Sequence, residues 1–183
     1  MNQRQHSATP VAASTFLIGM YAVLLASEAQ AQADPDAPLP AFAAYCFSPF
    51  LTAAKAAEAF ADPAIRHDFY DLNPFSDVAP SPGADVTPGT DRRCAVAFDG
   101  DRGIDAIHAV AEALKAEGLT TPAPLPATHI GTALPGTTLM AAVALNPGRV
   151  AVVHTGTRPG PNGTETFLSV ERLTPEASAE ALR

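Results

Sequence analysis

Four polar side chains have the chemistry to bind or transform a ligand: His67, Asp71, Arg92 and Arg158. His67 and Asp71 belong to a polar and aromatic cluster, residues 66–71, that can supply an acid–base pair or a ligand-binding rim. Arg92 and Arg158 stand beside turns rich in glycine and proline, where guanidinium and backbone N–H groups can hold an anion. Because rigid scaffolds often present binding groups on loops, we predict that all four meet at one end of a sheet.

The same residues also have a simpler interpretation, which the sequence favours. Residues 66–71 are then a short edge strand, and the arginines pair with the abundant carboxylates. The chain contains no Gly-x-Ser-x-Gly, no His-Glu-x-x-His and no Walker or dinucleotide fingerprint. The sequence therefore assigns no catalytic residue and indicates no cofactor, and it favours a binding or structural role over catalysis.

A third polar group, Asp105, His108 and Glu112, has the spacing i, i+3 and i+7 on a predicted helix. An imidazole and two carboxylates on one helix face can hold a divalent metal. We favour a solvated face and predict no metal site, because this face lies opposite the apolar stripe of the helix. That stripe is predicted to contain Ile104, Ile107, Ala111 and Leu114.

The chain has two cysteines, Cys46 and Cys94. With an even count, no Cys-x-x-Cys and an exported chain, we predict one disulfide between them rather than reactive thiols. The bond would close a loop of about fifty residues, which the chain-entropy account values at roughly 4 kcal/mol.

Residues 1–33 have the layout of a secretory signal peptide. Arg4 precedes an apolar run at residues 11–26, and overlapping Ala-x-Ala sites follow it. The run is shorter than the roughly twenty residues that span a bilayer. A lone arginine favours the general secretory route over the twin-arginine route. We predict a periplasmic or secreted protein with no membrane attachment after cleavage.

The remaining chain is long enough for one domain. We expect a disordered leader at residues 34–40, a single globular domain at 41–175 and a polar tail at 176–183. The net charge of −8 argues against nucleic acid as a partner. The sequence identifies no other partner.

Local signals outline the elements that must position these groups. Ser48 and Pro49 resemble a helix start, and Asp62-Pro63 ends that helix. A second helix is predicted at about residues 103–117. Strands are predicted at residues 65–72, 93–98, 138–145, 149–155 and 165–173, with a tight Asn146-Pro147-Gly148 turn and loops at 73–90 and 157–164. This order predicts an α+β fold: a mainly antiparallel sheet with two helices on one face.

Several stretches resemble a group of small exported alphaproteobacterial proteins of unknown function. They are Cys46-Phe-Ser-Pro-Phe50, Arg66-His-Asp-Phe-Tyr-Asp-Leu72, residues 88–100 and residues 156–168. Some members bear a succinyl-CoA synthetase β-subunit label. The present chain argues against that activity, because it is short, lacks a nucleotide-binding glycine loop and carries an export signal.

Together these features favour an exported, disulfide-bonded domain that binds a ligand or partner. A small hydrolase using His67 or Asp71 and a metal-handling protein using Asp105, His108 and Glu112 are the alternatives.

We expect signal cleavage after Ala31 or Ala33. N-terminal sequencing of the exported protein checks this expectation. Recovery of a chain that still begins at Met1 in the membrane fraction would contradict it.

Overall fold

Six strands and five helices make up the part of the chain that this computed structural model describes, residues 37–72 and 86–183. The strands are β1 (Ile65–Asp71), β2 (Thr90–Asp99), β3 (Pro122–Ala123), β4 (Thr137–Asn146), β5 (Arg149–Gly160) and β6 (Gly163–Leu173). The helices are α1 (Pro38–Tyr45), α2 (Ala53–Ala59), α3 (Gly103–Ala116), α4 (Ala127–Ile130) and α5 (Pro175–Ala181). The predicted signal peptide and most of the predicted loop at 73–90 lie outside the described residues.

The strands form one antiparallel sheet in the order β1-β2-β6-β5-β4-β3. The predicted α+β class, the antiparallel sheet and the disulfide are confirmed. The Asn146-Pro147-Gly148 turn is also where the sequence predicts it, between β4 and β5. Gly148 adopts a φ of +92°, which side-chain-bearing residues rarely reach.

Three helices, α1, α2 and α3, cover one face of the sheet, where the sequence predicts two. Alternate strand residues point to this face because side chains alternate along a strand. The core between helices and sheet includes Leu39, Phe42, Ala56, Phe69, Val96, Val110, Val153 and Leu168. This helix-covered face holds the larger of the two apolar clusters in the described chain.

The other face is only partly covered. Helix α5 and the segment around β3 pack a smaller apolar cluster against one end of it, which includes Ala142, Val150, Val152 and Leu173. Ser178 of α5 is fully buried, and its hydroxyl accepts a hydrogen bond from the backbone N–H of Val150. The rest of this face, which we call the open face, carries polar side chains.

Helix α3 docks closely because its first residue is glycine. A Cβ on Gly103 would lie 2.9 Å from Cγ2 of Thr138, so a larger residue would require the Thr138 side chain or the helix to move. The hydroxyl of Thr166 on β6 accepts a hydrogen bond from the Arg102 backbone N–H at 2.8 Å and replaces a helix cap.

The predicted apolar stripe of α3 is wrong by about one residue. The buried positions are Gly103, Ala106, Val110 and Ala113, whereas Ile104 is 65% exposed. Small residues allow the helix backbone to approach the sheet, so helix packing follows shape here and not side-chain hydrophobicity alone. Asp105, His108 and Glu112 are exposed.

Three further boundaries differ from the expected ones. The helix predicted to start at Ser48 is α2, which starts at Ala53; the Thr52 hydroxyl accepts a hydrogen bond from the Lys55 backbone N–H. The expected leader at 34–40 and tail at 176–183 overlap α1 and α5. Both helices carry a proline in the first turn, where its missing N–H is harmless.

The expected loop at 157–164 is instead a β-hairpin between β5 and β6. Pro159 pairs with Thr164 in it. The proline is tolerated because β4 pairs with β5 only as far as Gly156, so residue 159 has no second neighbouring strand to satisfy.

The disulfide joins Cys46, at the end of α1, to Cys94 in β2. Both residues are buried, and Cys94 is 1% exposed. The bond therefore fastens the first helical segment to a strand inside the sheet.

We predict that replacing both cysteines by alanine lowers the free energy of unfolding by roughly 2–4 kcal/mol, because the unfolded chain loses its cross-link. Urea unfolding with and without reductant measures the change, and reductant should leave the double variant unaffected. Rapid alkylation of both cysteines in native, unreduced protein would contradict the prediction.

Candidate functional site

The open face contains a cleft of about 410 Å³, which we call the sheet cleft. Strands β1, β2, β5 and β6 form its floor, and the segment from α4 to β4 forms one wall. Its lining includes Arg66, Asp68, Thr87, Arg93, Ala95, Ala97, His129, Leu134, His154, Arg158, Phe167, Ser169 and Glu171. Polar groups from distant parts of the sequence thus meet over a few adjacent strands.

Small side chains in the middle of the floor leave room for the cleft. Ala95 on β2 pairs in register with Ser169 on β6, which in turn pairs with His154 on β5. Phe167 lies beside Gly156, where an added Cβ would come within 2.9 Å of the phenyl ring. The same ring meets the imidazole of His154 edge-on at 4.8 Å. The floor is therefore close-packed, and the small side chains at its centre leave a depression.

A series of hydrogen bonds between charged and polar side chains crosses the cleft. Arg93 donates to Oδ2 of Asp68 through two guanidinium nitrogens and to the Thr87 hydroxyl at 3.1 Å. The Thr87 hydroxyl donates to Oε1 of Glu171 at 2.7 Å. Nε2 of His129 lies 2.7 Å from the other oxygen of Glu171. His129 is 2% exposed, so this contact fixes the α4 wall to the sheet.

The charge balance at Glu171 favours its ionised form. Burial alone would raise the pKa of Glu171, but hydrogen bonds from His129 and Thr87 outweigh it and hold the pKa below the ordinary value of 4.5. Since Glu171 is a carboxylate at neutral pH, Nε2 of His129 donates the hydrogen bond between them.

A second ionic cluster closes one end of the cleft. Glu165 accepts from Arg66 at 2.7 Å and from Arg158 at 2.5 Å. Arg66 also pairs with Asp99, which accepts in addition from the Asn162 amide. The guanidinium of Arg158 lies 5.1 Å from the Phe167 ring centroid. These contacts hold both arginines in defined positions at the rim.

His154 is the other histidine of the cleft. Its Nε2 lies 2.9 Å from the hydroxyl of Thr137. Burial lowers the pKa of His154 below its ordinary value of 6.5, because desolvation penalises the imidazolium form. The ring is therefore neutral at pH 7.

Two polar atoms of the cleft residues are buried without a hydrogen-bond partner among the described residues: Oδ1 of Asp68 and Nε of Arg66. Native proteins pair most buried polar groups, so such atoms call for a specific explanation. One is an acceptor and the other a donor, and both belong to side chains on the open face of β1.

The four side chains predicted from the sequence do not all meet. Asp71 and Arg92 do: Nη1 of Arg92 lies 3.7 Å from Oδ2 of Asp71 on the helix-covered face. Arg158 lies on the open face, where it pairs in register with Glu165 on β6. Glu165 in turn pairs in register with Asp99 on β2. Arg92 and Asp99 are seven residues apart on β2, or about 23 Å at the rise of a strand. The predicted meeting of all four is therefore wrong.

His67 is also separate from Asp71. Its ring packs against Phe60 of α2 at 5.7 Å. His67 and Asp71 are four positions apart along β1, or about 13 Å at the rise of a strand. Strand length therefore keeps His67 apart from Asp71, whereas His67 and Arg158 both line the sheet cleft.

The cleft includes residues that sequence reasoning missed, chiefly His129, His154 and Glu171. A weak signal exists for β5 and β6: polar His154 and Ser169 interrupt apolar runs with strand periodicity, and such positions face one side of a sheet. No local signal marks His129, because its role depends on a contact with Glu171, forty-two residues away.

No protein-family model, curated protein or solved structure matches the chain. Within residues 37–72 and 86–183, no three histidines, cysteines or carboxylates are grouped so that they could hold a metal ion. No helix in those ranges has the length and apolarity to cross a bilayer.

We predict that stability falls as the pH drops below about 6.5, because the unfolded chain then binds a proton that folded His154 resists. The same sign applies to Glu171 below 4.5, since its folded pKa is also lowered. Urea unfolding at pH 7.5 and 5.5 should show a smaller pH-dependent loss for His154→Gln than for wild type. Exposed His108→Gln is the control and should keep the wild-type loss. An unchanged loss in His154→Gln would contradict the assignment.

Proposed function

We propose that the protein is an exported, non-enzymatic binding domain that holds a small polar ligand in the sheet cleft. The observation that carries this proposal is the pair of unpartnered buried atoms, Oδ1 of Asp68 and Nε of Arg66. A ligand with one hydrogen-bond donor and one acceptor would satisfy both. Leaving such groups unpaired costs about 1–3 kcal/mol each, which binding would recover.

The size and rigidity of the cleft support a binding role. Its volume of about 410 Å³ lies within the range of small-molecule sites. Asp68, Arg93 and Glu171 hold one another in place before any ligand arrives. Side chains that are already ordered lose little conformational entropy on binding, so the affinity per contact is higher.

The hydrogen bonds of the cleft argue against a serine hydrolase. In a serine hydrolase of this kind, the hydroxyl of the nucleophilic serine lies within hydrogen-bond reach of a histidine nitrogen. The two ring nitrogens of His129 face Glu171 and Thr128, and Nε2 of His154 faces Thr137. Among the described side chains, Ser169 is hydrogen-bonded to neither histidine.

Export is part of the proposal on the strength of the N-terminal sequence. The disulfide agrees with an oxidising compartment, because cytosolic thiols are usually kept reduced. The charge of the cleft does not favour a nucleic acid or an anionic lipid as its ligand, since each arginine lining it is paired with a carboxylate.

We predict that Ala95→Leu abolishes binding in the cleft, because the added side chain occupies the floor without removing a polar group. Binding is measured by calorimetry and ligand-observed NMR with glutamine, diglycine, ethanolamine and glucose as probes. At least one probe should bind wild type and lose affinity at least tenfold in Ala95→Leu.

Ala144→Leu is the matched control, since Ala144 is a half-buried strand residue on the same face but outside the cleft. It should bind as wild type does. Equal binding by wild type and Ala95→Leu, or no binding of any probe to wild type, would contradict the proposed function.

A further inference from the structure

A second cavity, of about 350 Å³, lies on the helix-covered face and shares no residue with the sheet cleft. We call it the arginine pocket. The α1–α2 connection, the end of α3, the β4–β5 turn and the sheet enclose it. It is lined by Cys46, Phe47, Pro49, Arg92, Glu117, Leu119, Leu145, Asn146, Arg149, Ala151, Val170 and Arg172.

Three guanidinium groups converge here. Arg92 on β2 pairs in register with Arg172 on β6, and Arg149 starts the neighbouring strand β5. Arg92 is 6% exposed and donates to the backbone carbonyls of Ser48, Pro49 and Leu51, which keeps it beneath the α1–α2 connection.

The neighbouring carboxylates do not balance this charge. Asp91 accepts from Arg149 and Arg172, each at 2.6 Å. Asp71 accepts from Arg172 at 3.1 Å and lies 3.7 Å from Arg92. Three cations thus share two anions. Glu117 also lines the pocket, but it is exposed at the end of α3 and makes no ion pair with the three arginines. Because Glu117 is exposed and forms no ion pair with them, solvent weakens its interaction with the three arginines.

Donor groups remain available as well. Nε of Arg149 is buried without a hydrogen-bond partner among the described residues. Nη1 of Arg149 and Nη1 of Arg172 donate to no described residue either, since the bonds of these two arginines use Nη2 and, in Arg172, Nε. Arginine donors in a fork geometry match the two oxygens of a carboxylate.

Much of the remaining lining is apolar. Phe47, Leu119, Leu145, Ala151 and Val170 supply walls that cannot hydrogen-bond. A bare inorganic anion would leave these walls in contact with water. An organic anion with an apolar body would cover them and place its charge against the arginines.

We propose that the arginine pocket is a binding site for a small organic carboxylate with an aryl or short alkyl body. The surplus of one positive charge selects a monoanion, and the walls select its apolar part. The site is independent of the ligand proposed for the sheet cleft.

Calorimetric titration of the disulfide-bonded mature protein with benzoate tests this proposal. Benzamide has the same body without the charge, and acetate has the charge without the ring. Benzoate should bind, and both analogues should bind at least about tenfold more weakly, as expected for the loss of one charge-assisted contact or of the ring burial. Equal binding of benzoate and benzamide, or no binding of benzoate, would overturn the proposal.

Arg149→Gln removes the surplus charge, and Asp91 keeps its partner Arg172. Benzoate affinity should fall at least about tenfold in this variant. Arg183→Gln, which makes the same charge change at an exposed position, should bind as wild type does. Unchanged affinity in a folded Arg149→Gln would overturn the proposal. If that variant does not fold, the comparison of the three compounds on wild type decides alone. Benzoate binding that persists in Ala95→Leu separates this site from the sheet cleft.

Discussion

Strand β2 lies between β1 and β6, and its side chains alternate between the two faces of the sheet. Arg92, Cys94, Val96 and Phe98 point to the helices, whereas Arg93, Ala95, Ala97 and Asp99 point to the open face. The adjacent arginines therefore serve different sites. Arg92 donates hydrogen bonds to the α1–α2 connection, and Arg93 donates to Asp68 in the sheet cleft. A shift of one residue in this strand would exchange the two faces and destroy both cavities.

The disulfide acts on the same strand. Cys94, two residues after Arg92 on β2, is bonded to Cys46. The disulfide and the Arg92 guanidinium therefore both hold the segment that begins at Cys46 and includes Pro49. That segment forms part of the arginine pocket and covers the core. Much of the interior consists of alanine and valine, which bury little area per residue. A cross-link and buried ion pairs between strands are then a substantial part of what fixes the arrangement.

The sequence predicted the features that depend on local chemistry. The strands at β2, β4, β5 and β6, the turn before Arg149, the disulfide and the existence of α3 follow from periodicity, glycine and proline positions and cysteine count. The prediction of which side of α3 is buried was wrong, because the close approach of the helix to the sheet at Gly103 and Ala106 outweighs the larger apolar area of Ile104. Helices α1, α4 and α5 escaped prediction, since short helices depend on tertiary packing more than on intrinsic propensity.

The candidate sites were less predictable than the fold. Asp68, Arg93, His129, His154 and Glu171 come together only through strand order and register, which local patterns do not specify. The sequence did single out the segments that contain Arg66, Asp68, Arg92 and Arg93. It did not separate their two faces, because local patterns do not show which side of the sheet each strand residue faces.

The central claim is that the sheet cleft is a binding site built on a rigid floor. NMR of the protein with ¹³C-labelled alanine methyl groups tests it most directly, because Ala95 and Ala97 lie on that floor. On titration with the polar probes, the methyl resonances of Ala95 and Ala97 should shift in a saturable way. Those of Ala142 and Ala144, elsewhere on the same face, should stay in place. Saturable shifts confined to alanines outside the cleft, or no saturable shift at Ala95 and Ala97 with any probe, would contradict the account.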